Sequence, residues 1–144
     1  MRQILVGMVL GFLFSGFAHA QDLQALQWKN RVLLLYTDSL SDSQYKIMVD
    51  ALLADQSAVE ARKLLVYTVM GGKVSRGLPA ENWQDDVPLR VARQNAQNGF
   101  GLELIGLDGG VKYRSTSAVN LVELWAIIDG MPMRRSELKN QGRP

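Results

Sequence analysis

Two apolar runs without alternation frame the chain. The first is Arg31-Val32-Leu33-Leu34-Leu35-Tyr36-Thr37 and the second is Lys63-Leu64-Leu65-Val66-Tyr67-Thr68-Val69. A strand that faces water on one side alternates apolar and polar residues, so runs like these predict strands covered on both faces. Between them, Tyr45, Met48, Val49 and Leu52 fall at i, i+3, i+4 and i+7, one face of a helix. Ser41 followed by Gln44 has the spacing of a capping box at its start, and the helix is expected to end near Asp55. Strand, helix and strand at this spacing predict a βαβ unit with parallel strands.

Downstream, Gly71, Gly72, Gly77 and Pro79 mark Met70 to Trp83 as a loop. A short helix is expected from Val87 to Asn95, capped by Asp85 or Asp86, with Pro88 in its first turn and Gly99 at its end. Gly101 to Gly106 and Val111 to Arg114 flank Leu107-Asp108-Gly109-Gly110. Asp-Gly between apolar runs predicts a hairpin with positive φ at both turn residues. A last helix, Ala118 to Asp129, carries Leu121, Leu124, Trp125 and Ile128 on one stripe, with Gly130 at its C-terminal cap and Pro132 barring continuation. The order β-α-β-α-β-β-α is of thioredoxin type. It predicts an α/β fold with a four-stranded mixed sheet and helices on both faces.

The first 20 residues have the pattern of an export signal. Arg2 precedes an apolar run from Ile4 to Phe17, and Ala18-His19-Ala20 forms a small-x-small cleavage site. The run is short for a membrane span, which needs about 20 residues. The expectation is a signal peptide over 1–20 cleaved after Ala20, one domain over 21–137, a polar tail over 138–144, and a periplasmic or secreted location without membrane attachment. Of 16 basic residues one is Arg2, leaving a mature chain nearly balanced against 14 acidic residues, which disfavours nucleic acid as a partner. There is no cysteine, and the single histidine is His19. Thiol–disulfide exchange, cysteine nucleophiles, a Ser-His-Asp relay and histidine-ligated metal are thereby excluded for the mature chain.

Two blocks, Leu104-Ile105-Gly106-Leu107-Asp108-Gly109-Gly110-Val111-Lys112 and Ile128-Asp129-Gly130-Met131-Pro132-Met133-Arg134-Arg135, resemble an uncharacterised family of bacterial exported domains. That family looks related to the thioredoxin-like domains of vertebrate secreted sushi-repeat proteins and equarin. The entry Trp28-Lys29-Asn30-Arg31-Val32-Leu33 is also similar, and the likeness extends from Trp28 to Glu137. It implies a thioredoxin-like fold and no particular activity. Where working thioredoxins carry reactive thiols, this chain has Asp38-Ser39-Leu40-Ser41-Asp42-Ser43, and no proline precedes Gly101. The thiol site is absent.

Asp129 is a negative charge at a helix C-terminus, where the helix dipole disfavours it. Arg134 and Arg135 are near enough to answer it. The block Asp129, Met131, Pro132, Met133, Arg134 and Arg135 is therefore a candidate ion-pair lock or a candidate interaction surface. Lys112 and Arg114 would join the two arginines in an anion-binding patch if the hairpin and the tail converge. Asp108, Gly109 and Gly110 form the hairpin turn. Met131 and Met133 offer thioethers without histidine or cysteine support, so core filling is the expected role over Cu(I) ligation. Gly71-Gly72-Lys73-Val74-Ser75 lacks the spacing of a phosphate loop. The Ser- and Asp-rich turn after Thr37 suits capping. Trp83 in the long loop is a candidate contact residue.

No catalytic residue, cofactor or metal is assigned. The functional expectation is a non-redox interaction module with an unknown extracytoplasmic protein partner. The alternative is a non-thiol enzyme or small-anion binder using Asp108 or Asp129 with Lys112, Arg134 and Arg135.

Overall fold

A computed structural model describes residues 23–85 and 99–142. The expected helix at Val87–Asn95 and the expected signal segment lie outside the described residues. Among those described, the chain forms a mixed α/β domain with six strands and five helices. They are α1 (Leu23–Leu26), β1 (Arg31–Tyr36), α2 (Ser43–Ala54), α3 (Gln56–Ala61), β2 (Leu64–Met70), β3 (Lys73–Arg76), β4 (Trp83–Asp85), β5 (Gly101–Ile105), β6 (Val111–Ser115), α4 (Leu121–Asp129) and α5 (Pro132–Gln141). The sheet order is β4-β3-β2-β1-β5-β6. β1 and β2 run parallel and every other pairing is antiparallel.

β1 is buried along its whole length because it supplies two cores. Leu33 and Leu35 face Tyr45, Met48 and Leu52 of α2 and Leu124 and Ile128 of α4. Val32, Leu34 and Tyr36 face the other way and meet Tyr67, Val69, Val74, Ile105 and Leu26 of α1. Period-two alternation therefore persists in direction while both directions are apolar. Among the described residues, α2 and α4 pack on the first face and α1 on the second.

The sheet has six strands where four were expected. Within Met70–Trp83, expected to be a loop, Lys73–Arg76 forms β3 and Trp83 opens β4, while 77–82 stays irregular. Gly71 and Gly72 have φ of +57° and +77° and link Met70 directly to its partner Lys73. Two successive positive-φ residues make the tight turn that suits the twist of a hairpin, so the glycines taken as breakers build a strand pair. The Asp-Gly hairpin departs in the opposite sense. Gly109 has φ +79° but Asp108 is not in the positive-φ region. Gly109 N–H donates to Gly106 O at 3.0 Å and Gly106 N–H to Gly110 O at 2.9 Å. The result is a wider turn with a register shift between Leu104 and Ile105.

Helix boundaries also differ. Asp42, not Ser41, caps α2, accepting from Tyr45 N–H at 2.9 Å. α4 starts at Leu121, three residues after the expected Ala118, because Asn120 caps it through Val122 N–H at 2.8 Å. Pro132 does not end helical structure but opens α5 at its first turn, where a missing N–H costs nothing. α5 therefore spans the end of the expected domain and runs on into the first four residues of the expected polar tail, ending at Gln141. No described helix is long and apolar enough to cross a membrane.

Candidate functional site

The carboxyl end of β1 leads into the turn Thr37–Asp42, the position at which open α/β sheets place sites. Here the turn is occupied by its own hydrogen bonds. Thr37 Oγ1 donates to Ser39 O at 2.7 Å and accepts from Ser39 N–H at 3.2 Å. Ser39 Oγ accepts from Ser41 N–H at 3.1 Å, and Asp38 Oδ2 accepts from Gly99 N–H at 2.8 Å. Hydroxyls and carboxylates here close a loop and cap a helix. Beneath it the Tyr45 and Thr68 hydroxyls are 2.9 Å apart, and the Tyr36 hydroxyl is buried without a partner among the described residues. Burial, then the charge of Glu103, hold the Tyr36 hydroxyl pKa above its ordinary value, with Arg114 pulling weakly the other way.

Beside this turn, Gln44 Oε1 accepts from Ala118 N–H at 2.8 Å and ties α2 to the segment entering α4. The cleft between them has a volume of about 510 Å³ and is walled by Ile47, Ala51, Val119 and Leu121. Ile47 is 54% exposed and neighbouring Val122 is 75% exposed. Two smaller hollows, of about 240 and 250 Å³, lie between α2, α3 and the end of β3, and between α1 and the Gly106–Gly109 turn.

The opposite end of β1 is built from charge. Arg31 has no exposed surface. Its Nη1 donates to Arg62 O at 2.9 Å, and its two terminal nitrogens meet both carboxylate oxygens of Glu137 at 3.3 and 3.4 Å. Arg134, buried on α5, donates from Nε to Asp129 Oδ1 at 3.1 Å and from Nη1 to Ala61 O at 2.8 Å and Glu137 Oε2 at 3.3 Å. Arg62 Nη2 reaches Asp129 Oδ2 at 2.6 Å, and its guanidinium carbon lies 4.7 Å from the Trp125 ring centroid. Trp125 Nε1 donates in turn to Asp55 Oδ2 at 3.0 Å. Lys63 Nζ approaches Glu137 at 4.0 Å.

Local backbone explains why these groups meet. Lys63 adopts φ +50°, a left-handed conformation uncommon for a residue with a side chain. It turns the chain from α3 into β2, and the carbonyls of Ala61 and Arg62 there accept from Arg134 and Arg31. Burial raises the Asp129 pKa, but hydrogen bonds from Arg62 and Arg134 outweigh it and hold the carboxyl below its ordinary range.

Of the residues singled out in sequence, Asp129 and Arg134 thus stand together. Arg135 is exposed and makes no ion pair among the described residues. Met131 packs partly against the core while Met133 is exposed, so their thioethers have different surroundings. Lys112 and Arg114 have carboxylates of their own: Asp108 at 2.6 Å and Glu103 at 3.2 Å. Arg134 is committed to its buried network, so these contacts give no four-cation patch. Asp108 and Asp129 belong to separate clusters. A hydrogen bond from Lys112, then one from Gly110 N–H, lowers the Asp108 pKa. Neither carboxyl has the raised pKa of a general acid. Trp83 lies half-buried in β4 rather than in an open loop.

Sequence reasoning missed Arg31, Arg62 and Glu137. Arg31 carried one available signal, a cation opening an apolar run, but its partner stands far along the chain.

The Trp28–Leu33 and Leu104–Lys112 blocks and the start of α5 meet at this end of β1. Trp28 N–H donates to Leu107 O at 2.6 Å and Gln27 Nε2 to Asp108 O at 2.8 Å, joining the entry segment to the hairpin turn. Through Arg31 and Glu137 the same entry joins α5. Residues 22–137 match the family described as Domain of unknown function (DUF4174). The chain belongs to the DUF4174 family. The matched span of the DUF4174 domain ends at Glu137, the residue that closes on Arg31. No curated protein matches the chain.

Proposed function

We propose that this DUF4174 domain is an exported, non-redox binding module on a thioredoxin-like scaffold, and that the cleft between α2 and α4 is its contact face. The scaffold reading is supported by the sub-sheet β2-β1-β5-β6, with one parallel pair, a terminal hairpin and a closing helix. β3 and β4 extend that unit beyond β2. The chain has no cysteine, and the turn where thiols would stand is filled by its own hydrogen bonds.

The observation that carries the binding reading is the cleft itself. Its walls are tied by Gln44 to Ala118, yet Ile47 on its wall is 54% exposed to water. A large apolar side chain exposed on that wall favours a partner that brings an apolar side chain to the cleft, because contact removes apolar surface from water.

The test is affinity capture from extracytoplasmic extract, using residues 21–144 as bait beside Ile47→Glu and Arg135→Ala versions. A partner held by the wild type and by Arg135→Ala, but lost from Ile47→Glu, supports the cleft. A partner retained by Ile47→Glu overturns it. Arg134 is unsuitable as a surface probe because its removal disturbs a buried network. The export reading has its own check, the N-terminus of the protein recovered from outside the cytoplasm. A start at Gln21 supports it, and recovery in the cytoplasm alone with Met1 intact overturns it.

A further inference from the structure

α5 is docked in a manner unlike the other long helices. α2 and α4 each bury apolar side chains in the core. The buried residue of α5 is Arg134, while Met133 and Leu138 are 43% and 42% exposed. What holds this helix to the domain is therefore ionic and titratable.

Two carboxylates carry the contact. Asp129, at the end of α4, faces Arg62 from the α3–β2 connection and Arg134 from α5. Glu137, on α5, faces Arg31 from β1, Lys63 before β2, and Arg134 on its own helix. Asp55, at the end of α2, reaches the cluster indirectly by holding Trp125 against Arg62. Four cations thus surround two carboxylates. Arg31 Nε and Arg62 Nε are already buried without partners. Protonating Asp129 removes the countercharge it gives Arg62 and Arg134, and a buried charge stripped of its partner is costly. Undocking α5 relieves this by admitting water. The described core under α2 and α4 is held instead by Leu33, Leu35, Met48, Leu52, Leu124 and Ile128.

We infer that α5 is an acid-released latch: neutralising Asp129 in acid frees Pro132–Gln141, which Glu137 ties to Arg31 as a second ionic contact, while the sheet, α2 and α4 stay folded. The sign follows from Asp129. Its folded pKa is lowered, so its stabilising contribution is complete above the ordinary carboxylate value of about 4 and is lost as pH falls through the folded value. Release therefore belongs to the acid side of about pH 4.

Amide hydrogen exchange read by mass spectrometry tests this on the whole protein. Rates at neutral pH and at about pH 3 are compared after correction for intrinsic exchange. The expected result is a loss of protection over 132–141 of about tenfold or more, with 31–36 and 64–70 unchanged. Glu137→Gln should produce the same selective loss at neutral pH. If that variant does not fold, the acid titration of the wild type still decides. Loss of protection in α5 and the strands together at one pH overturns the latch. So does an α5 that stays protected at about pH 3, or in folded Glu137→Gln.

Discussion

The two ends of β1 solve different problems. At its carboxyl end, Thr37, Ser39 and Asp42 make short-range hydrogen bonds that close a turn and cap α2. At its amino end, Arg31 reaches Glu137 across a sequence separation of 106. The first end is mostly local chemistry, with Asp38 reaching Gly99 across the chain, at a place where open α/β sheets put function. The second is long-range electrostatics at a place that sequence patterns leave blank. A site's location in a fold therefore does not say where the polar investment of a particular chain lies. In this domain that investment fastens the terminal helix.

The largest effect that separates the two ends should come from Arg31→Ala. It removes a fully buried guanidinium with three hydrogen bonds and leaves space behind, and the expected loss is about 3 kcal/mol. Urea unfolding measures it, and a loss below about 1 kcal/mol would mean the network is neutral to folding.

Next is Asp129→Ala, expected to cost about 1.5 kcal/mol, less than a buried pair because the Asp129 side chain is 34% exposed and water screens it. This difference from wild type should be full at neutral pH and vanish in acid, since the lowered pKa makes its contribution disappear as pH falls. A pH-independent difference would assign the effect to something other than charge.

At the other end of β1, Asp42→Ala should cost about 1 kcal/mol through loss of one cap, with no pH-dependent component in the hydrogen exchange of α5. If Asp42→Ala also loosened α5, the two ends would be coupled and the comparison would break.

The smallest effect has the opposite sign. Tyr36→Phe removes a buried hydroxyl that has no partner among the described residues, so stability should stay level or rise by up to about 1 kcal/mol. The wild type should also lose stability relative to Tyr36→Phe at alkaline pH. Its raised pKa means the neutral phenol is favoured in the fold, a contribution present below about pH 10 and lost above it. A clear destabilisation by Tyr36→Phe at neutral pH would reveal a partner for that hydroxyl.

The turns show how local signals misled in both directions. Gly71-Gly72 was legible as punctuation but not as a hairpin, because the strands it joins are short and β3 buries only Val74 and Ser75. Asp108-Gly109 was legible as a hairpin, but the turn is wider than the dipeptide alone implies and is accompanied by a register shift after Leu104. α5 was nearly invisible. A helix whose buried face is Arg134 has no apolar stripe for a periodicity argument to find.

The sequence by itself determined the doubly buried β1 and β2, the parallel βαβ unit between them, the hairpin and helix that follow, and the absence of thiol chemistry. These are properties of neighbouring residues or of composition, and short-range sterics and hydrophobic periodicity express them directly. Only the tertiary structure decided which carboxylates meet Arg31, Arg62 and Arg134, and which apolar side chains remain in water beside α2. A charge can pair with any opposite charge the chain contains, and backbone geometry alone chooses among them. Lys63 in its left-handed turn and Pro132 at the start of α5 supply that geometry here.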